Sequence, residues 1–165
     1  MPSEISTVGT LVSVADYTQQ DLIVPRLQEN EPAGILEELS QRLRTNGIIA
    51  DVLSFYQAVV NHEFLSNSAL PAGIAMPHAR SAQVGRLTLA FGRAGEPVVW
   101  GRKGSLSVEY IFLLAVPPTD ASNYLSLLSG IASFANRPEM IARLRTAADA
   151  RCIFELLKEI RVHSR

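Results

Sequence analysis

The run Val-Glu-Tyr-Ile-Phe-Leu-Leu-Ala-Val-Pro, at residues 108–117, is the stretch that decides the fold of this chain. Apolar and polar residues alternate at its start, and residues 110–116 are then apolar without interruption. A strand that is buried on both faces has this composition, whereas a helix that crosses a membrane needs about 20 apolar residues. We therefore predict a central strand that is covered on both faces.

Segments with helical periodicity lie on both sides of this strand in the sequence. Apolar residues recur at helical spacing, and polar residues fill the positions between them. Shorter apolar runs at 22–24, 87–91 and 98–100 predict further strands. Helices interleaved with strands indicate an α/β layered domain. Five helices are predicted. The first contains Leu36, Leu39 and Leu43 and ends at Asn46-Gly47, and the second is capped by Asp51 and reaches about His62. The third is capped by Thr119 or Asp120 and reaches Ala135, a short fourth helix starts at Pro138, and the fifth is capped by Asp149 and reaches Ile160.

Composition and charge exclude several classes of protein. The 165 residues have a formal net charge of −1, and no basic block favours binding to nucleic acid. Residues 1–4 lack the pattern of a signal peptide, and no apolar run is long enough for insertion into a membrane. The single cysteine, Cys152, excludes an internal disulfide bond. We predict one domain over residues 1–165 in the cytoplasm, with residues 1–10 frayed and residues 66–82 forming a loop.

The predicted loop contains His78, which we select as the candidate reactive residue. Gly73 permits unusual backbone conformations, and Pro77 restricts the backbone next to His78. Neutral imidazole is a nucleophile near pH 7, and Arg80 could supply positive charge to a phosphoryl group. A lone histidine after proline is nevertheless more often structural, and His163, in the last residues, is predicted to be solvated. No cluster of histidine, cysteine and aspartate residues has the spacing of a metal site.

Three segments of the sequence resemble one family, the type-2 enzyme IIA domains of the bacterial sugar phosphotransferase system. Residues 73–78, Gly-Ile-Ala-Met-Pro-His, resemble the active-site signature G-I-A-[IVM]-P-H of that family. Residues 59–68 are similar to its R-E-x-x-x-S-T segment, and residues 108–117 resemble its V-D-L-I-F-L-L-A-V-P strand. The resemblance covers about residues 20–160 and implies a single-domain mixed β-sheet flanked by helices.

The resemblance also implies a function and a set of site residues. In this family the loop histidine accepts phosphate from the histidine-containing phosphocarrier protein and passes it to a IIB component. His78 would therefore be phosphorylated, and Glu63 would orient its imidazole and set the tautomer. Ser68, Arg80 and Tyr124 would contact the phosphoryl group. No cofactor is implied other than the phosphoryl group itself.

The chain departs from the family pattern at three positions. His62 replaces the usual arginine and could neutralise phosphate only when protonated, so transfer could be slower or pH-dependent. Ala79 replaces a glycine, at a cost of about 1 kcal/mol if that position needs a positive φ. Tyr124 replaces a second histidine found in many sugar-transporting members. These departures keep open a second interpretation, a regulatory IIA-like module that binds partner proteins, with weak or lost phosphotransfer.

Purely structural alternatives also remain for several candidates. His62 could end an exposed helix turn instead of facing His78, and Ser68 could only stabilise a turn. Arg80 could be a solvated charge, and Tyr124 an aromatic residue at the edge of the core. Trp100 and Cys152 are predicted to serve only in packing.

Overall fold

The computed structural model describes residues 10–101, 106–120 and 122–164, and these form a mixed sheet with helices on both faces. Seven strands lie within the described residues: β1 (Thr10–Ser13), β2 (Ile23–Val24), β3 (Ile74–Ala75), β4 (His78–Arg80), β5 (Thr88–Val99), β6 (Ser107–Val116) and β7 (Arg161–Ser164). Five α-helices accompany them: α1 (Pro32–Thr45), α2 (Val52–Leu65), α3 (Asn123–Ala135), α4 (Pro138–Thr146) and α5 (Ala150–Leu157).

The ends of the helices follow from local hydrogen bonding, as the sequence predicted. The Asp51 carboxylate accepts from the Ser54 N–H at 3.1 Å, and the Asp149 carboxylate accepts from the Cys152 N–H at 2.9 Å. Gly47, with φ of +77°, follows the last turn of α1. At α3, Asp120 accepts from the Asn123 N–H at 2.9 Å and so caps its first turn. The predicted caps, Asp51 of α2 and Asp149 of α5, are therefore confirmed.

The main sheet has β6 at its centre. The order is β2-β5-β6-β3, and β4 also pairs with β6, beyond β3 along the same edge. β5 runs antiparallel to β6, whereas β3 and β4 run parallel to β6, and β2 runs parallel to β5. The predicted α/β fold with a mixed sheet is therefore confirmed.

Both faces of β6 are buried, which confirms the prediction made from residues 108–117. Tyr110, Phe112 and Leu114 pack in the apolar core on the side of α3, α4 and α5. Ile111 and Leu113 pack in a second core with residues of α1 and α2. Side chains along a strand alternate between its two faces, so an uninterrupted apolar sequence serves both cores.

Three sequence-based predictions of structure need correction. The segment 66–82 is not all loop, because it contains β3 and β4, both paired with β6. The two apolar runs around residues 87–100 belong to one long strand, β5, whose register shifts between Arg93 and Val98. His163 is not in a solvated tail: it lies in β7, opposite Leu11 of β1, although its side chain is exposed. Of the predicted frayed residues, Thr10 begins β1, and residues 1–9 lie outside the described part.

Candidate functional site

His78 is the first residue of β4, at the edge of the main sheet. Successive side chains of a strand point to opposite faces. Ala79 is buried in the core with α1 and α2, so His78 and Arg80 share the opposite face, on the side of α3. Pro77 suits this edge, since it lacks an N–H while its carbonyl accepts from Leu114 N–H at 2.9 Å. The strand therefore presents His78 half-buried and leaves Arg80 exposed.

The backbone of Met76 fixes the imidazole of His78. Its carbonyl oxygen lies 3.3 Å from His78 Nδ1. A carbonyl oxygen only accepts hydrogen bonds, so this contact favours the tautomer with hydrogen on Nδ1 and a lone pair on Nε2. Burial lowers the pKa of His78 below its usual value, and His62 and Arg80 act in the same direction, while the Met76 carbonyl and Glu63 oppose them. The net effect favours the neutral form of His78.

Three further candidate residues surround His78. His62, in the last turn of α2, has its ring centroid 4.4 Å from that of His78, at an angle of 54°. Tyr124, in the first turn of α3, lies 5.9 Å from the His78 ring. The guanidinium carbon of Arg80 lies 5.4 Å from the centroid of the Tyr124 ring. Nη2 of Arg80 donates to the Asp120 carbonyl at 3.3 Å. His62 thus faces His78 instead of ending an unrelated surface turn.

Glu63 and Ser68 form hydrogen bonds with each other, and their partners differ from those expected from the resemblance. Glu63 is buried, and its Oε2 accepts from the Ser68 N–H, the Ser68 hydroxyl and the Trp100 indole N–H, each at 2.8 Å. The Ser68 Oγ in turn accepts from the Met76 N–H at 2.9 Å. Among the described residues, no hydrogen bond joins Glu63 to His78, so the Met76 carbonyl orients the imidazole. In this structure the Ser68 hydroxyl donates to Glu63, and its contact with a phosphoryl group stays a prediction.

Trp100 is the site residue that the sequence analysis missed. It is fully buried and was predicted to be packing alone, but it anchors the carboxylate that holds the Ser68–Met76 turn. Asn67 Nδ2 also donates to the Trp100 carbonyl at 3.0 Å. The two partners Glu63 and Trp100 are 37 residues apart. A lone tryptophan beside glycine offers no local signal for such a pair.

Ala79 causes no backbone strain. The described residues with positive φ are all glycines, so alanine at this position adopts an ordinary extended conformation in β4. The cost considered for a positive φ at Ala79 therefore does not arise. Its methyl group is 4% exposed and packs in the core beneath the site.

The assembled site can position a nucleophilic nitrogen beside positive charge and hydrogen-bond donors. The described residues contain no cluster of three or more histidine, cysteine, aspartate or glutamate side chains that could hold a metal ion. In the same residues, no helix combines the length and apolar character needed to cross a membrane. The site itself groups the His78 imidazole with His62, Tyr124 and Arg80.

Comparison with known proteins supports the same assignment of family. The family model "Phosphoenolpyruvate-dependent sugar phosphotransferase system, EIIA 2" matches residues 16–160. The 2-O-alpha-mannosyl-D-glycerate-specific EIIABC component of Escherichia coli is 28% identical over 142 residues, which are 85% of this chain and 22% of that protein. This chain therefore spans about a fifth of the length of that relative.

Two nitrogen regulatory proteins match over nearly their whole length. That of Bradyrhizobium diazoefficiens is 23% identical over 145 residues, covering 87% of this chain and 94% of the relative. The crystal structure of the nitrogen regulatory protein IIA-Ntr from Neisseria meningitidis superposes with a TM-score of 0.79 at 26% identity, covering 87% and 98% of the two chains. The family model, the fold and the signature around His78 agree: this chain belongs to the EIIA 2 family of the phosphoenolpyruvate-dependent sugar phosphotransferase system.

Proposed function

We propose that this chain is a phosphocarrier that accepts a phosphoryl group on Nε2 of His78. The donor would be the histidine-containing phosphocarrier protein, and the acceptor a IIB component. The observation that carries the proposal is the contact of His78 Nδ1 with the Met76 carbonyl, which leaves the lone pair on Nε2. The lowered pKa of His78 keeps this lone pair available at neutral pH.

The transfer step needs positioning and charge stabilisation more than further covalent chemistry. Nε2 of His78 forms the new bond to phosphorus while the bond between phosphorus and the donor nitrogen breaks, and the donor imidazole leaves with the electron pair. Arg80 supplies positive charge near the site, and the Tyr124 hydroxyl can donate a hydrogen bond. The group carried is the phosphoryl group itself, with no other cofactor.

We expect exposed apolar side chains on the two helices that carry His62 and Tyr124 to contribute to a docking face for a small partner protein. Phe64 and Leu65, at the end of α2, are 65% and 84% exposed, and Leu125, next to Tyr124, is 54% exposed. Exposed apolar residues grouped around a polar site are typical of surfaces that bind proteins. A IIB acceptor is supported by the relative whose name combines EIIA, EIIB and EIIC components in one protein. The cytoplasm is the compartment that this exchange between carriers requires.

Phosphotransfer in vitro tests the proposal. The chain would be incubated with phosphoenolpyruvate, enzyme I and the phosphocarrier protein, and intact mass would report the addition of one phosphate. The phosphate should be acid-labile and alkali-stable, and it should disappear in His78→Ala. The absence of phosphate with a cognate donor, under conditions that phosphorylate a known IIA protein, would refute the carrier proposal.

A regulatory module is the second candidate function. Two nitrogen regulatory proteins match this chain over 94% and 98% of their lengths, whereas the matched EIIABC component is covered over 22% of its length. His62 and Tyr124 also depart from the family pattern of cationic groups. Such a module would be phosphorylated on His78 without passing the phosphate to a IIB component. Adding purified IIB to the phosphorylated chain separates the two functions, because only a transport carrier would lose its phosphate within seconds to minutes.

A further inference from the structure

His62 is an exposed titratable residue placed directly against the reactive histidine. Its ring centroid is 4.4 Å from that of His78, and it lies in the last turn of α2. Among the described residues, neither a hydrogen bond nor an ion pair engages its ring. A phosphoryl group on His78 would therefore lie in the immediate surroundings of the His62 ring.

The other charged and titratable groups near His62 are Glu63, Arg80 and His78. On α2 itself, Glu63 accepts from three donors on Oε2, while its buried Oε1 has no hydrogen-bond partner among the described residues. On β4, Arg80 lies over the Tyr124 ring of α3 and donates to the Asp120 carbonyl. For His78, burial lowers the pKa and so favours the neutral form. The part of α1 that faces the end of α2 presents the apolar residues Pro32, Ala33 and Leu36.

We infer that phosphorylation of His78 is coupled to the uptake of one proton by His62. This inference rests on the proposed function, and it deepens it by making the phosphorylated state sensitive to pH. A phosphoryl group carries close to two negative charges at neutral pH. An opposite charge within about 4–6 Å favours the charged form of a titratable group. An imidazolium–phosphoryl pair then takes the place of the guanidinium–phosphoryl pair that an arginine at this position would form.

The coupled step balances in atoms and charge. The nitrogen–phosphorus bond of the donor breaks and the bond from His78 Nε2 to phosphorus forms. The donor imidazole leaves with the electron pair, and one proton from solvent binds to His62. Because a proton is consumed, the equilibrium phosphorylation of this chain rises as the pH falls. The dependence is up to about tenfold per pH unit, the limit set by one proton taken up for each phosphoryl group.

The test compares wild type with His62→Arg and His62→Gln. Each protein would be equilibrated with the phosphocarrier protein, enzyme I, phosphoenolpyruvate and pyruvate between pH 6.5 and 8.5. Intact mass would give the phosphorylated fractions of donor and acceptor, and hence the equilibrium constant of the transfer. Because all three proteins share one donor, the donor's own pH dependence cancels in the ratios between variants. Circular dichroism would confirm that the exposed substitutions leave the fold intact.

The expected result is an excess pH dependence in wild type alone. Relative to His62→Arg, the wild-type equilibrium constant should fall by about three- to tenfold per pH unit above neutrality. His62→Gln should parallel His62→Arg in slope, with a smaller constant at every pH. Nitrogen-15 NMR of wild type at pH 7.5 should show the His62 ring gaining its second proton on phosphorylation.

Two different failures are distinguishable in this design. If His78 gains no phosphate from the cognate phosphocarrier protein, under conditions that phosphorylate a known IIA protein, the proposed function itself fails. If His78 is phosphorylated but wild type and His62→Arg have the same slope, or the His62 ring stays neutral in the NMR spectrum, the coupling to His62 is overturned and the carrier proposal stands.

Discussion

The indole N–H of Trp100 donates to Oε2 of Glu63 at 2.8 Å, inside the protein and next to the candidate site. The same oxygen accepts the N–H and the hydroxyl of Ser68. A carboxylate oxygen that accepts from three donors holds those donors in fixed positions. Through Ser68 and the Met76 N–H, this carboxylate sets the turn that presents His78.

Replacement of Trp100 by phenylalanine should destabilise the protein and loosen the site. Hydrogen bonds to charged groups contribute about 1.5–3 kcal/mol, so Trp100→Phe should lower the free energy of unfolding by at least that range, measured in urea. A double-mutant cycle with Glu63→Ala separates the coupling energy of the pair from the loss of ring volume. A coupling energy close to zero would contradict the importance of this hydrogen bond.

The central strand and most helices could be predicted because their signals are local. Residues 108–117 show burial on both faces in composition alone, and the helices have periodic apolar residues and recognisable caps at Asp51 and Asp149. β4 could not be predicted in this way. It has three residues that follow a proline, and it is a strand because β6 lies beside it, which is a property of the tertiary structure.

The pairing of the chain ends was missed for a related reason. β1 and β7 are four residues each, and each forms only with the other, across nearly the whole chain. At the site, the grouping of His62, His78 and Tyr124 was anticipated through the resemblance to the family. The partners of Glu63 were not, since hydrogen bonds to Trp100 and Ser68 depend on how α2 and the end of β5 meet.

The imidazole of His78 should titrate below the usual range for histidine. Burial is the main cause of its lowered pKa, so the neutral form persists to lower pH than in an unfolded peptide, where the midpoint is about 6.5. Proton NMR would follow the ring resonances with pH, and the signal absent from His78→Ala identifies the residue. A midpoint at or above that of a histidine peptide would show that the site is not desolvated.

The cap of α2 should contribute to stability without affecting the site. Asp51 accepts from the Ser54 N–H at the start of the helix, and His62 lies at the other end. Asp51→Ala should lower the free energy of unfolding by about 1 kcal/mol, whereas Asp51→Asn keeps an acceptor and should cost much less. Phosphorylation of His78 should be the same in both variants. Equal losses from the alanine and asparagine variants would rule out capping as the cause.

Gly130 should be intolerant of even one added methyl group, because α3 packs closely against β7. A Cβ at this position would collide with Cγ1 of Val162 and lie 3.7 Å from the Arg161 carbonyl oxygen. In a helix without that neighbour, alanine would be more stable than glycine by about 1 kcal/mol. Overpacking costs about 1–3 kcal/mol, so Gly130→Ala should destabilise despite the better helix propensity.

The contact with Val162 can be separated from other effects by a second substitution. In a Val162→Ala background the colliding methyl group is gone, so Gly130→Ala should become neutral or stabilising by up to about 1 kcal/mol. Ser129→Ala, on an exposed position of the same helix, controls for helix propensity alone. Urea unfolding of the four proteins in the cycle gives the coupling energy directly. If Gly130→Ala destabilises equally in both backgrounds, the close approach of α3 to β7 at Val162 is not what requires glycine.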